Sequence, residues 1–411
     1  MRELIFFFVV SAFVIGIDSY AYQAIRAIYP FQTTAGKIIG VLYWSITFYI
    51  LISILSTAMF GMENIPSALR KLTAAIFFFG LVMKLFAIFW LLGEDVFRVA
   101  KVVFEKVKPG NKYVSIESRR KFISQLSLIS AFMPLVVLTY GVVRNAYNYQ
   151  FHKHKISLSK LPSKFKGFKI VQLSDIHAGS FNQTRPIERV IDQINDLKPD
   201  LILFTGDLVN DLAEEMEPYK ALFGKLKAKH GVYSVLGNHD YGDYAFGTQD
   251  TPEKSANFAA FLQVHQEMGW DLLRNENRRI QIDDQYIDLL GVENYSAHGR
   301  FASHGDLTKA HQGLDPNSCK ILMSHDPSHW DVQINKDFKD IDLTLSGHTH
   351  GFQFGIETKW LKWSPSQYMY EQWAGLYQKG EQYIYVNRGF GNLGYPGRVG
   401  ILPEVTVLEL T

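Results

Sequence analysis

Four apolar runs in the first part of the chain limit its fold more than any other feature. They cover roughly Leu4–Ala24, Ile38–Phe60, Leu72–Leu92 and Phe122–Val143. A bilayer core takes about 20 apolar residues of helix. Backbone groups inside lipid must pair within the segment, so each run is expected to be a helix. The first run does not read as a cleaved signal, because Glu3 follows Arg2 and no clear small-x-small site closes it. The expected organisation is a four-helix transmembrane domain over 1–144, a juxtamembrane connector over 145–167 and a second domain over 168–411.

Two charges interrupt these runs, Asp18 and Lys84. They lie in alternate spans, which run in the same direction. Each is about a dozen residues into its helix, hence at a depth of roughly 20 Å at 1.5 Å per residue. They are expected to pair; the functional alternative is a proton or ion path. Orientation follows from the flanking bases. Arg98, Lys101, Lys106, Lys108, Lys112, Arg119, Arg120 and Lys121 in the 93–121 loop join Arg26 and Lys37 on one side. They outnumber Arg2, Arg70, Lys71, Arg144, Lys153, Lys155 and Lys160 on the other. The excess points to a cytoplasmic 93–121 loop and an extracytoplasmic C-terminal domain. Ser118-Arg119-Arg120-Lys121-Phe122-Ile123 reads either as a twin-arginine export signal or as a helix-end anchor.

After residue 167 the pattern changes to short buried strands alternating with helices. Phe168 to His177 ends an apolar run with Asp175 and His177, two apart and so on one face of an extended chain. Asp200 to Asp207 repeats the plan and ends in Gly206-Asp207. Val232 to Asp240 ends in Gly237-Asn238-His239-Asp240, Lys320 to Pro327 in Ser324-His325, and Asp342 to His350 in Gly347-His348-Thr349-His350. Helices are expected over about Arg185–Leu197, with Thr184 as N-cap, and over about Ala213–Ala228. Further strands are expected at Arg278–Ile282, Tyr286–Val292, Tyr383–Asn387 and Glu404–Leu410. Strand–helix alternation with polar strand ends argues a layered α/β fold whose site lies at the carboxyl edge. Cys319 is the only cysteine, which excludes an internal disulfide and a cysteine-rich metal site. A metal must therefore use Asp, Asn and the 13 histidines. The net charge of +2 points to no particular partner, and nothing indicates nucleic acid.

In these five motifs and their order the sequence resembles the calcineurin-like metallophosphoesterase family, from about Lys169 to the C-terminus. With the apolar half it looks like the family's bacterial membrane-bound branch. The resemblance implies a two-sheet β-sandwich flanked by helices, with two metals at its edge. Carried over by motif, Asp175, His177 and His350 bind the first metal, Asp207 bridges, and Asn238, His325 and His348 complete the second. His239 is the proton donor, and Asp240 is expected to orient it. Two divalent cations ~3.5–4 Å apart acidify a bridging water and neutralise charge during in-line displacement at phosphorus. The ligand set suits Mn, Fe or Zn better than Ca.

The substrate is less defined. His298, Arg300 and His304, between Tyr295 and His311, are candidate phosphate-binding residues. Gly351-Phe352-Gln353 departs from the family, which often has two glycines before the Gln. Trp360, Trp363, Tyr368, Tyr370, Trp373 and Tyr377 crowd one stretch, either packed inside the domain or set at a bilayer interface. A lipid-linked phosphoester or pyrophosphate, such as a UDP-diacylglucosamine-type lipid A precursor, leads as substrate. A general phosphodiesterase or phosphatase on the outer face is the second reading. A non-catalytic membrane scaffold or sensor would show lost ligands, and none is lost.

Overall fold

The computed structural model describes residues 2–60, 67–107, 117–299, 301 and 303–411. It forms two compact units, Met1–Thr139 and Tyr140–Thr411.

The first unit is built from α1 (Arg2–Ile28), α2 (Thr34–Phe60), α3 (Ser67–Val107) and most of α4 (Glu117–Val143). Segments long and apolar enough to cross a membrane are Phe7–Ile28, Thr34–Thr57 and Ile76–Phe104 in the first three helices, and Arg119–Tyr147, which runs past the end of α4. Phe8, Leu42, Phe89 and Ile129 are exposed on their surfaces, a distribution suited to lipid. Asp18 and Lys84 form the expected ion pair. Asp18 is fully buried, and Thr47 donates to its carboxylate at 2.5 Å. The Tyr43 hydroxyl donates to the Asp18 backbone carbonyl at 3.1 Å.

The 93–121 stretch departs from expectation. It is helical up to Val107, because neither Gly nor Pro interrupts 94–107 and its apolar face continues through Phe97 and Phe104. Lys108 and Lys112 lie outside the described residues. Arg119 pairs with Glu94 at 2.9 Å, and its guanidinium lies over the Phe97 ring. Those contacts are what a helix-end anchor makes.

The second unit holds two six-stranded mixed sheets. The first has the order β1-β14-β2-β3-β4-β5: β1 (Gln150–Ile156), β2 (Lys169–Leu173), β3 (Leu201–Phe204), β4 (Val232–Ser234), β5 (Asp271–Leu272) and β14 (Glu404–Leu410). The second has the order β12-β13-β9-β8-β7-β6: β6 (Glu276–Ile282), β7 (Gln285–Gly291), β8 (Lys320–Met323), β9 (Leu343–Ser346), β12 (Gly375–Lys379) and β13 (Gln382–Val386). A two-stranded ribbon, β10 (Ile356–Glu357) with β11 (Lys362–Trp363), lies outside both. The connector thus supplies β1, an edge strand in parallel register with β14.

Side-chain alternation explains why these strands read as continuous apolar runs. Ile170, Leu201 and Leu203 face the core between the sheets with Leu289, Ile321 and Leu343. Their neighbours Val171, Ile202 and Phe204 pack instead against Ile187, Val190 and Ile191 of α5 (Arg185–Asp196) and Phe261 of the helix Pro252–Met268. Both faces are buried, so both positions of the period are apolar. Thr184 stands at the N-cap of α5, but its side chain makes no cap bond. The helix expected over Ala213–Ala228 is replaced by a 3₁₀ turn, Ala213–Met216, and a short helix, Lys220–Phe223. Pro218 separates the two pieces.

Candidate metal centre

β2, β3 and β4 run parallel in the first sheet, as do β8 and β9 in the second. The five polar motifs therefore follow strands at equivalent, C-terminal ends. The backbone there is unusual: Asp175, His177, Asp207, His348 and His350 all have left-handed φ, between 45° and 68°. Such conformations cost about 1–3 kcal/mol each for a non-glycine residue and persist only where surroundings over-determine them. The surroundings here are hydrogen bonds between motifs. The His348 N–H donates to both Asp175 carboxylate oxygens at 3.0 Å, and the His239 N–H donates to Asp207 Oδ1 at 2.9 Å.

Gly237 has a different role from that of a turn. Its φ is not left-handed, but a Cβ there would lie 2.2 Å from Asp207 Oδ1. Gly347 likewise leaves room for Asp175, whose Oδ2 would be 2.2 Å from a Cβ. Each glycine leaves the gap that another strand end's carboxylate occupies, Asp207 from the adjacent β3 and Asp175 from β2 of the other sheet.

These constraints assemble two clusters of ligand atoms, each within 4.8 Å of one another: Asp175, His177 and His350, and Asp207, His325 and His348. Asp207 Oδ2 lies between them, 3.6 Å from His177 Nε2 and 3.1 Å from His325 Nε2. The site passes a test of fit to cations. Both ring nitrogens of His177, His350 Nε2 and Asn238 Oδ1 are buried without a hydrogen-bond partner. Burying such atoms unpaired costs about 1–3 kcal/mol each. A divalent ion in each cluster would satisfy ligand-type nitrogens and oxygens of this kind.

The electrostatics are those of an anion pair awaiting positive charge. Burial pushes Asp175 up, but the adjacent His350 outweighs it and holds the carboxyl well below the usual range. Burial of Asp207 is similarly overcome by His325 and His239. Burial lowers His177 and His348. It would lower His325 too, but Asp207 raises that imidazole to about 10. A cation at Asp207 would replace that proton.

His239 lies beside the clusters, its ring 4.9 Å from that of His177. Its Nδ1 meets the Asn210 carbonyl at 2.6 Å. A carbonyl only accepts, so Nδ1 carries the hydrogen and Nε2 is left for other chemistry. Asp240 does not orient this ring, contrary to expectation. Its carboxylate accepts instead from the N–H groups of Asp207 at 2.9 Å, Leu208 at 2.8 Å and Gly237 at 2.8 Å. Burial and the neighbouring Asp207 push the Asp240 carboxyl up to about 7, against the pull of those N–H donors. The physical reason is chain direction: left-handed Asp207 presents successive N–H groups to the one acceptor buried beneath them.

A cavity of about 410 Å³ opens beside the clusters. Asp207, Asn238, His239, His348 and His350 line it together with Tyr244, Phe301, Phe352, Met369, Tyr370 and Leu393. Of the candidate phosphate-binding residues that are described, neither His298 nor His304 is among its lining residues. His298 packs against the Tyr370 ring, and His304 lines a separate cavity beside Tyr241. Arg300 lies outside the described residues. Sequence reasoning missed Tyr244 and the Asn210 carbonyl. It also missed the contact of the Tyr370 hydroxyl with His348 Nε2 at 2.8 Å. The aromatic stretch divides: Tyr370 and Trp373 are buried, whereas Trp360 is 94% and Tyr368 76% exposed.

Comparison with known proteins matches both units. The sequence profile of calcineurin-like phosphoesterases covers residues 168–352, and that of a probable calcineurin-like phosphoesterase transmembrane domain covers residues 1–146. An uncharacterized metallophosphoesterase of Bacillus subtilis, YkuE, is 32% identical over 260 residues, 63% of this chain and 84% of that one. An uncharacterized metallophosphoesterase of Helicobacter pylori is 28% identical over 374 residues, 90% of each chain. A zebrafish (Danio rerio) transmembrane protein with metallophosphoesterase domain is 28% identical over 291 residues, 69% of this chain. That match spans 62% of the zebrafish protein, less than two thirds of its length. The relatives come from animals as well as bacteria, so the resemblance is not confined to a bacterial branch.

Proposed function

The chain belongs to the calcineurin-like metallophosphoesterase family, and we propose that it is a membrane-anchored, two-metal hydrolase of phosphoester or phosphoanhydride bonds. The observation that carries this reading is the pair of ligand clusters, with Asp207 of the second 3.6 Å from His177 of the first and buried, unpartnered atoms of His177, His350 and Asn238 at the site. Asp175, His177 and His350 would hold one cation, Asn238, His325 and His348 would hold the other, and Asp207 is in reach of both groups. When bound, such cations supply Lewis acidity toward water and the phosphoryl oxygens. The protein's own part is positioning and proton supply. The Asn210 carbonyl fixes the Nδ1–H of His239, so the opposite edge, Nε2, delivers a proton to the departing oxygen. Asp240 holds the Asp207 loop by its backbone.

The four apolar helices in the same chain support a lipid-linked substrate. A UDP-diacylglucosamine-type lipid A precursor is one such molecule, and it requires a cytoplasmic active site. The excess of basic residues around 93–121 favours the opposite orientation, and with it a general phosphodiesterase or phosphatase on the outer face. Protease protection of the C-terminal unit in sealed vesicles separates the two.

The test of the enzymatic reading is metal analysis of the full chain, followed by a screen of phosphomonoesters, phosphodiesters and pyrophosphates. About two ions of Mn, Fe or Zn per chain and turnover abolished by EDTA are expected. A folded, metal-loaded chain that hydrolyses none of them would be a scaffold or sensor instead.

A further inference from the structure

We infer that the cleft beside the ligand clusters holds the apolar group of an amphiphilic phosphoester against Phe352, Met369 and Leu393; the inference rests on the phosphoesterase reading above and narrows its substrate. One cavity is lined both by the ligand residues and by these three side chains. A phosphoryl group at the clusters therefore has Phe352, Met369 and Leu393 within the same cavity as its substituent, beside the polar Thr349, Gln353 and Ser366. Among the described residues lining that cavity, none is Lys or Arg. An alkyl or acyl chain against Phe352, Met369 and Leu393 would leave water.

Phe352 is the strongest sign that the wall is built. Its φ is 57°, next to Gly351 at 52°, a conformation rare for an aromatic residue. The ring is also 53% exposed, so burial does not offset the backbone strain. A glycine would adopt this backbone freely. The segment is nevertheless fixed. Ser364 donates to the Gly351 carbonyl at 2.7 Å, and Thr349 donates to the Trp373 carbonyl at 2.6 Å. What the strained position supplies is a ring at the mouth of the cleft. Phe354 and Ile356, and Trp360 and Leu361 at the turn of the β10–β11 ribbon, are exposed as well. Four helices among the described residues are long and apolar enough to cross a membrane, which favours an amphiphilic substrate.

The test uses the full chain, loaded with Mn, in phosphatidylcholine nanodiscs. Two phosphodiesters with the same p-nitrophenyl leaving group are compared, one carrying a methyl and one a dodecyl group. The dodecyl ester is expected to have the higher kcat/KM by at least about tenfold. In Phe352→Gly, which relieves the left-handed strain and so preserves folding, and in Met369→Gln, that ratio should fall to within about twofold of unity. A ratio near one in the unmutated chain overturns the apolar subsite while leaving the phosphoesterase intact. A high ratio unchanged in both variants overturns it as well, since partition into the nanodisc then explains the preference. Failure to hydrolyse either ester overturns the subsite for a phosphodiester, and the screen of monoesters and pyrophosphates then decides the phosphoesterase reading separately.

Discussion

Tyr244 stacks on the imidazole of His239, with ring centroids 4.2 Å apart and planes 23° from parallel. The same tyrosine accepts a hydrogen bond from Asn238 Nδ2 at 2.9 Å. One side chain thus sets both residues that lead the β4 motif. By engaging the Asn238 amide nitrogen it turns Oδ1 away, and Oδ1 is the atom left buried and unpartnered. Tyr244→Phe keeps the stack and removes the acceptor. It is expected to lower occupancy of the cluster containing His325 and His348, read as loss of up to one metal ion per chain. Tyr244→Ala also frees the His239 ring, and should slow alkyl leaving groups about tenfold more than p-nitrophenyl. Equal loss on both leaving groups would mean that the stack does not serve proton delivery.

His239 and Asp240 are neighbours in sequence and separate in function, which gives opposite expectations for their variants. His239→Ala should reduce turnover of a poor leaving group by about 10²–10⁴ while metal content stays nearly intact. Loss of both metals in that variant would show that His239 is a ligand instead. Asp240→Asn sets an amide against the N–H groups of Asp207, Leu208 and Gly237. A buried donor facing donors costs about 1–3 kcal/mol per unmade bond. The expected outcome is a lower melting temperature and weaker metal retention, with the leaving-group dependence of the residual activity unchanged. A changed leaving-group dependence would restore the expected link between Asp240 and His239.

The strand ends were legible because burial on both faces produces uninterrupted apolar runs, and each run stops where the chain enters the cleft. Gly237 and Gly347 were legible as breaks but not as gaps for Asp207 and Asp175, since that role exists only between strands. The bonding of Asp240 was hidden for the same reason: besides Gly237, its partners Asp207 and Leu208 lie on another strand end. Tyr244 carries no periodic signal, and Tyr370 was one of six aromatics in a stretch whose composition fits burial and exposure equally. The transmembrane helices were legible in number. The length of α3 was not, because hydropathy ends where charges begin, whereas helical hydrogen bonding does not.

Asp18 and Lys84 form a pair whose value lies in mutual neutralisation within an apolar bundle. Asp18→Asn leaves Lys84 without its counter-charge, and Lys84→Met leaves a buried carboxylate with only Thr47 and Tyr43. Breaking a buried pair from one side costs about 3–5 kcal/mol, whereas replacing both partners is often neutral. Each single variant should therefore melt earlier in detergent, and the double variant should recover most of the loss. Additive destabilisation in the double variant would assign the two charges separate roles.

His265 links stability to pH away from the candidate metal centre. Its Nδ1 lies 3.0 Å from the Ser234 hydroxyl, its Nε2 has no partner, and Phe261 and Trp270 flank the ring. Burial lowers its pKa from 6.5 to about 3. The folded state therefore holds it neutral. The unfolded chain takes up a proton as pH falls below about 6.5, and the folded chain does not until about 3. Stability is complete above 6.5 and declines by about 1.4 kcal/mol per pH unit across that window from this residue alone. Other buried histidines add their own slopes, so the comparison is with His265→Gln, which cannot titrate. Thermal unfolding of the metal-loaded full chain, followed by tryptophan fluorescence between pH 7 and 5, should show a shallower fall in Tm for the variant. Parallel pH slopes would mean that His265 is protonated in the folded protein.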